Sequence, residues 1–266
     1  MPDVLAGPRI KIERAKRHIR DLEAEIAAFH GRGPYEIVAY DDAKTGDKIF
    51  RVKIREPVPT CLSGAIGDVV HNLRAALDQL AWQLVIANRK QPRRRTGFPV
   101  ADSVEEFESD AAGKIKGVSA RAYRFIRRLK PYKGGREFFW TIHELDRLDK
   151  HQSIIPVGAA YTHVTIKLLM AVPWDDAPLA SPPISLRPKD RCYPLKDGTT
   201  LYVIKAAARQ PPIDENPQFT FDVAFGEGQI VDGEPVVPAL QQLTELVERV
   251  IAITERRVLA QHGRRP

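Results

Sequence analysis

Residues 63–88 read SGAIGDVVHNLRAALDQLAWQLVIAN, and this stretch decides the fold class of the chain. Apolar side chains recur in it every three or four positions, at Ile66, Val69, Val70, Leu73, Leu77, Leu80 and Leu84. That spacing places them on one face of an α-helix. The stretch therefore predicts a long helix with one apolar stripe, the clearest helical pattern in the sequence.

Other segments repeat the helical spacing. They span residues 10–30, 136–151 and 237–261, with shorter candidates at 103–112 and 119–129. The last of the long helices carries an apolar stripe from Leu240 to Ile251 that needs a partner, and the earlier helices offer matching faces. We therefore predict a helical bundle on which the closing helix packs back.

Strand patterns occupy two regions. Tyr35 to Tyr40 and Ile49 to Arg55 flank the turn-rich DDAKTGD, which predicts a β-hairpin at about residues 35–55. Residues 153–235 contain β-rich runs separated by proline-rich loops and predict a small antiparallel sheet. The fold class is thus α+β, with a helical part at 1–152 that includes the hairpin, a β-rich part at 153–235, and a C-terminal helix at 236–266.

Composition and motifs exclude several classes of protein. The 266 residues include two cysteines, and no apolar run approaches the length of a membrane span, so we expect a cytoplasmic chain with no membrane partner. Walker A, GxGxxG, HExxH, EF-hand and GxSxG motifs are absent from the sequence. The sequence consequently predicts no metal site and no cofactor.

The net charge of +7 is concentrated in one part of the chain. Residues 1–152 carry 29 basic and 21 acidic residues, whereas residues 153–266 carry 12 and 13. Between Ala111 and Arg136 there are nine basic residues and no acidic one. Such density is typical of a phosphate-binding surface, so the region 89–136 predicts RNA as a partner. A merely solvated basic face is the alternative.

A ridge of polar residues follows the 63–88 helix away from its apolar stripe. At 100° per residue, His71, Arg74 and Asp78 fall within about 60° of one another. A carboxylate there can orient the imidazole or hold the guanidinium toward a substrate oxygen. The alternative is an intrahelical ion pair between Arg74 and Asp78 with no functional role.

A second polar ridge lies on the 136–151 helix. His143, Arg147, Lys150 and His151 share one side of it, while Asp149 falls in the apolar sector and needs a cation there. Arg74 or His71 is the natural partner for Asp149. We therefore expect the two ridges to meet along one seam of the bundle.

Two segments resemble motifs of a bacterial family of uncharacterised proteins that carries GD-HNLR-ALD and E-LD-LDKH helices. The segments are HNLRAALDQLAWQL (71–84), which IGDVV precedes, and IHELDRLDKH (142–151). More remotely, a helical bundle with a polar motif ending in His is similar to the HEPN superfamily. Members of that superfamily bind RNA or cut it without metal, and the resemblance implies an Arg and a His as the catalytic pair. Arg136 and His143 fit the spacing of the superfamily motif, whereas Arg147 and His151 are closer, one helical turn apart.

The leading hypothesis is that the chain is a HEPN-like, RNA-directed protein. In its enzymatic form it would be a metal-independent endoribonuclease of a defence or toxin system. His151 or His143 would then move a proton at a ribose 2′-hydroxyl while Arg147 or Lys150 stabilises charge on phosphate, with His71, Arg74, Asp78 and Asp149 binding or orienting. The alternatives are a non-catalytic interaction protein with structural ion pairs inside the bundle, and a small-molecule enzyme using the seam as its pocket. A homodimer is also left open.

Overall fold

The computed structural model describes residues 3–167, 184–186, 192–206 and 214–259, and within them the chain is α+β, as predicted. The helices are α1 (Ala6–Gly31), α2 (Cys61–Ala87), α3 (Val104–Ser109), α4 (Ala120–Leu129), α5 (Glu137–His151) and α6 (Val236–Thr254). The strands are β1 (Tyr35–Asp41), β2 (Lys48–Ile54), β3 (Pro156–Lys167), β4 (Ile184–Leu186), β5 (Thr200–Ile204) and β6 (Asp214–Phe225). A 3-10 turn (Ala111–Ile115) follows α3, and a π-helical turn (Glu255–Leu259) continues α6.

The chain divides into two compact units. The first comprises residues 1–25, 60–154 and 236–266, and the second comprises residues 26–59 and 155–235. The first unit is therefore made of helices from distant parts of the sequence, while the strands belong to the second. The hairpin, predicted within the helical part at 1–152, lies in the second unit with the β-rich region.

The first unit is organised around α2. Its apolar positions are buried, including Ile66, Leu73, Leu77 and Leu80, each no more than 1 % exposed. Both α5 and α6 contact α2 and cover this apolar surface. The closing helix α6 also pairs with α1 through Lys16 Nζ and Glu248 Oε1, 2.8 Å apart. The prediction that the closing helix returns to the bundle is confirmed.

The turn from α4 to α5 is fixed by its backbone. Ser119 caps α4 by accepting a hydrogen bond from Ala122 N (3.2 Å), and the helix ends at Lys130 in the left-handed conformation (φ 49°). Gly135 packs directly on the Lys130 carbonyl, where a Cβ atom would overlap the backbone. Because the turn is this tight, Arg136, the residue before α5, has a defined position relative to α4.

The strands of the second unit form two antiparallel sheets in the described residues, ordered β1-β2-β5 and β4-β3-β6. The sequence pattern predicts that the segment of β5 joins the C-terminal sheet, but β5 instead pairs with β2 of the hairpin. Polar anchors explain the difference, because Asp47 beside the hairpin accepts bonds from Lys205 Nζ (2.8 Å) and Ala206 N (3.0 Å). Asp197 likewise accepts from Ile54 N (2.8 Å).

No helix within the described ranges has the length and the uninterrupted apolar surface that crossing a membrane requires.

Candidate functional site

The two predicted polar ridges meet where α2 faces α5 in the first unit. His71 Nδ1 lies 3.2 Å from Asp146 Oδ1, and Lys150 Nζ lies 2.5 Å from Asp146 Oδ2. The Asp146 side chain is only 6 % exposed, whereas those of His71 and Lys150 are 54 % and 51 % exposed. A buried carboxylate thus joins one residue from each ridge, and we call His71, Asp146 and Lys150 the seam triad.

The hydrogen bond between His71 and Asp146 sets the tautomer of the neutral imidazole. An ionised carboxylate only accepts hydrogen bonds, so Nδ1 of His71 carries the proton that is shared with Asp146. Nε2 then keeps its lone pair, and it has no hydrogen-bond partner in the part of the chain that the structure describes. The seam triad therefore presents a proton acceptor at the surface, held in orientation by a buried group.

Asp149 does not have the partner that the sequence suggested. Its half-buried carboxylate packs against Gly67 of α2, where a side chain would overlap it. Neither Arg74 nor His71 hydrogen bonds to it, since Arg74 is engaged by Asp78 and His71 by Asp146. Burial raises the pKa of Asp149, and the nearby acidic Asp146 and Asp68 raise it further. The meeting of the ridges is as expected, but Asp146 and not Asp149 makes the connection.

Arg74 and Asp78 form a structural tie. The Arg74 guanidinium is buried and donates from one nitrogen to Asp78 Oδ1 (2.9 Å) and to the Phe98 carbonyl (2.9 Å). The Asp78 carboxylate also accepts from Phe98 N (2.8 Å). Both residues are thus used to hold the segment at Phe98 on α2, which agrees with the ion-pair alternative for this part of the ridge.

His143 makes no hydrogen bond to the seam triad. It is half-buried, and its Nδ1 is buried with no hydrogen-bond partner among the described residues. Burial lowers the pKa of His143, and the positive charges of Arg74 and Lys114 lower it further. The negative charges of Glu144 and Asp146 act in the opposite direction, but the net effect still favours the neutral imidazole.

Arg147 and His151 lie at the surface, at the C-terminal end of α5. Arg147 Nε donates to both oxygens of Glu144 (3.0 and 3.1 Å), and this bond raises the pKa of Arg147. His151, the last residue of α5, is exposed and makes no hydrogen bond with the residues that the structure covers. Of the residues predicted as catalytic, Lys150 is the one that the described contacts bring to His71.

The basic region contributes a second feature of the first unit, which we call the arginine groove. It is a cavity of about 540 Å³ lined by five arginines and four apolar residues: Arg121, Arg124, Arg128, Arg136, Arg257, Phe125, Leu129, Ile253 and Val258. The spacing of the three α4 arginines was readable from the sequence. Arg257 was missed because it lies 121 positions beyond Arg136 and only the return of α6 brings it there.

Over the described ranges, no group of three or more His, Cys, Asp or Glu side chains is placed to hold a metal ion. Comparison with protein-family models, with curated proteins and with solved structures finds no match for this chain. The class of protein is therefore argued from the seam triad and the arginine groove alone.

Proposed function

We propose that this chain is a HEPN-like, RNA-directed protein that acts as a metal-independent endoribonuclease of a defence or toxin system. The observation that carries the proposal is the seam triad: an accessible imidazole oriented by a buried carboxylate, with an ammonium group on the same carboxylate. Acid–base chemistry on a phosphodiester needs a proton acceptor of this kind and a cation near the developing charge. No metal ion is needed for either role.

The reaction would use the 2′-hydroxyl of RNA as nucleophile. Nε2 of His71 takes the proton of that hydroxyl, the O2′–phosphorus bond forms, and the bond from phosphorus to O5′ breaks. The leaving O5′ takes a proton from water, and the hydroxide ion so formed takes the proton from Nε2 of His71. The products are a 2′,3′-cyclic phosphate and a 5′-hydroxyl end, with His71 restored. Lys150 stabilises negative charge on the phosphate oxygens, and Asp146 keeps the imidazole in its acceptor tautomer.

Arg147 and His151 remain a second candidate pair for the same chemistry. His151 is accessible and one helical turn from Arg147. The geometry favours His71 over His151 because His71 has a buried carboxylate to orient it, whereas Arg147 is already engaged by Glu144. The two histidines are therefore to be tested separately.

Cleavage of mixed RNA in EDTA by the purified full chain tests the proposal. We expect the wild type to cut, and His71→Ala to lose about 10²- to 10⁴-fold in rate, the usual contribution of a general base. His18→Ala on α1 serves as the matched control, because His18 makes no hydrogen bond or ion pair with the seam triad and should leave the rate unchanged. Absence of cleavage by the wild type would refute the enzymatic proposal, and equal cleavage by His71→Ala would refute the role of His71.

A non-catalytic interaction protein is the second candidate function, and the tie from Arg74 to Asp78 and Phe98 favours it. In that case the polar ridges serve stability and the basic surface contacts an acidic partner. If Arg74→Ala and Asp149→Ala change only the melting temperature while RNA binding is undetectable at low salt, this second candidate replaces the first.

Location and assembly are further proposals that rest on the sequence. We infer a cytoplasmic protein, and a homodimer is compatible with Trp82 and Ile86, two exposed apolar residues on α2 that are 41 % and 45 % exposed. Light scattering on the purified chain tests the dimer. A mass of about 30 kDa at all concentrations would contradict it.

A further inference from the structure

The arginine groove gathers cations from three separate parts of the first unit. Arg121, Arg124 and Arg128 follow one another at positions i, i+3 and i+7 of α4 and so share one face of that helix. Arg136 comes from the tight turn before α5, and Arg257 comes from the π-helical turn after α6. All five arginine side chains are exposed. Because π-helical turns frequently occur at functional sites, the position of Arg257 in one is in keeping with a binding role.

The charges of the groove are largely uncompensated. Arg124, Arg128, Arg136 and Arg257 have no acidic partner among the described residues, whereas elsewhere in the basic region Arg127 pairs with Glu108 (2.8 Å). Arg95 similarly pairs with Asp110 (3.0 Å). Clustered like charges raise the free energy of the empty protein, and a bound polyanion relieves that repulsion. The arrangement therefore favours a ligand with several negative charges.

The floor of the groove narrows the class of polyanion. Val258 is buried, and Phe125, Leu129 and Ile253 are partly buried, so an apolar surface lies beneath the arginine rim. Guanidinium groups bind phosphate oxygens bidentately, and an aromatic ring beside them gives a base a face on which to stack. A cavity of about 540 Å³ is of the size that small ligands fill, so it suits a short piece of flexible chain.

We propose that the arginine groove binds single-stranded RNA, with phosphates on the arginine rim and an unstacked base on the apolar floor. This inference rests on the RNA-directed function proposed above, but not on cleavage. It also separates the arginines into two groups, because the groove uses Arg121, Arg124 and Arg128 of α4 together with Arg136 and Arg257. The paired Arg95 and Arg127 lie outside it. Duplex RNA does not expose unstacked bases, so it should bind the groove more weakly.

Fluorescence anisotropy with a labelled 2′-O-methyl RNA oligomer tests the proposal on the full chain, because this probe lacks the 2′-hydroxyl and cannot be cut. Each phosphate neutralised on a single strand contributes about −0.7 to the slope of log K against log salt, so five arginines set a limit of about −3.5. We expect Arg124→Gln with Arg128→Gln to reduce the slope by about 1.4 and to weaken binding about 25-fold at 0.1 M salt.

A matched double variant removes the same charge outside the groove. Arg95→Gln with Arg127→Gln should change the affinity by less than about threefold, because both arginines are already paired. Arg257→Gln, remote in sequence from the basic region, should weaken binding about fivefold. Equal losses in the two double variants would overturn the groove as the site, since they would show a response to net charge alone, and so would an unchanged affinity in Arg257→Gln. Circular dichroism of each variant confirms its fold.

Competition distinguishes single-stranded RNA from other phosphate ligands. Unlabelled single-stranded RNA should displace the probe better than tripolyphosphate or duplex RNA at equal phosphate concentration. Displacement by tripolyphosphate as effective as that by RNA would overturn the assignment to RNA.

Binding that depends on the groove arginines without any cleavage in EDTA supports this inference and refutes the endoribonuclease. Cleavage in EDTA by a wild type whose probe affinity is unchanged in Arg124→Gln with Arg128→Gln refutes this inference and leaves the endoribonuclease standing.

Discussion

Arg74 and Arg249 are each paired with an acidic residue four positions away on their own helix, yet their surroundings differ. The Arg74 side chain is 9 % exposed and also donates to the Phe98 carbonyl, while Arg249 and its partner Glu245 on α6 are 71 % and 65 % exposed. Removing a buried cation leaves acceptors without a donor, which costs far more than breaking a solvated pair. Burial at each residue, more than the spacing of the pair, therefore decides what the residue contributes.

Arg74→Ala should lower the free energy of unfolding by about 2–4 kcal/mol, because the buried Phe98 carbonyl loses its donor and Asp78 keeps only its bond from Phe98 N. Arg249→Ala is the control and should cost less than about 1 kcal/mol, as is usual for exposed pairs. Urea unfolding followed by circular dichroism measures both changes. Equal costs for the two variants would show that the Arg74 tie does not stabilise the fold.

Asp149→Asn should raise the melting temperature at pH 7 by about 2 °C. Burial and neighbouring carboxylates raise the pKa of Asp149 in the folded protein, so its ionised form opposes folding at any pH above that raised pKa. As the pH falls through the raised pKa the carboxyl group is protonated, and the advantage of the variant should shrink. Differential scanning calorimetry between pH 4 and 8 follows the difference. A lower melting temperature for Asp149→Asn at pH 7 would contradict this account.

At the scale of elements, the contact of α2 with α5 depends on a glycine of α2, Gly67, which has no side chain. Gly67 lies in the interior of α2, where glycine costs about 0.5–1 kcal/mol relative to alanine. It is tolerated because the Asp149 carboxylate of α5 occupies the space that a Cβ atom would take. The glycine thus allows the close approach that also brings Asp146 to His71.

Gly67→Ala should destabilise the wild type by about 1 kcal/mol, because Asp149 must move away from the new methyl group. In an Asp149→Ala background the same change should stabilise the protein by about 0.5–1 kcal/mol, since only the helix propensity of alanine remains. Chemical unfolding of the four proteins of this cycle gives the coupling. Additive effects, with the same sign in both backgrounds, would mean that the two residues do not oppose each other.

The elements show which parts of the structure the sequence could predict. The spacing of Ile66, Leu73 and Leu80 is local and predicts α2, its buried face and the return of α6. Pairing of β5 with β2 is not local, and it depends on polar anchors such as Asp47 that carry no periodic pattern. The sequence also could not single out Asp146. Whether Asp146 or Asp149 meets His71 depends on how α5 is rotated against α2, and the sequence pattern does not specify that rotation.

At the scale of the whole molecule, each compact unit contains a histidine that its fold keeps neutral. Burial lowers the pKa of His143 in the first unit, with Arg74 and Lys114 acting in the same direction. Burial also lowers the pKa of His30 in the second unit, opposed in part by the charge of Asp222. When either unit unfolds, its histidine returns toward the ordinary value of 6.5 and takes up a proton.

The stability of both units should therefore fall as the pH drops below about 6.5, because protons then bind to the unfolded chain more readily than to the folded one. Above the unfolded pKa the two histidines are neutral in either state and their contribution is constant. Glutamine does not titrate in this range. His143→Gln and His30→Gln should therefore each flatten the decrease in stability between pH 7 and 5 relative to wild type, and the double variant should flatten it most. Exposed His151→Gln, changed in the same way, should leave the decrease as it is. Melting curves across this range decide the matter, since identical slopes for wild type and the double variant would show that burial of these imidazoles does not link folding to pH.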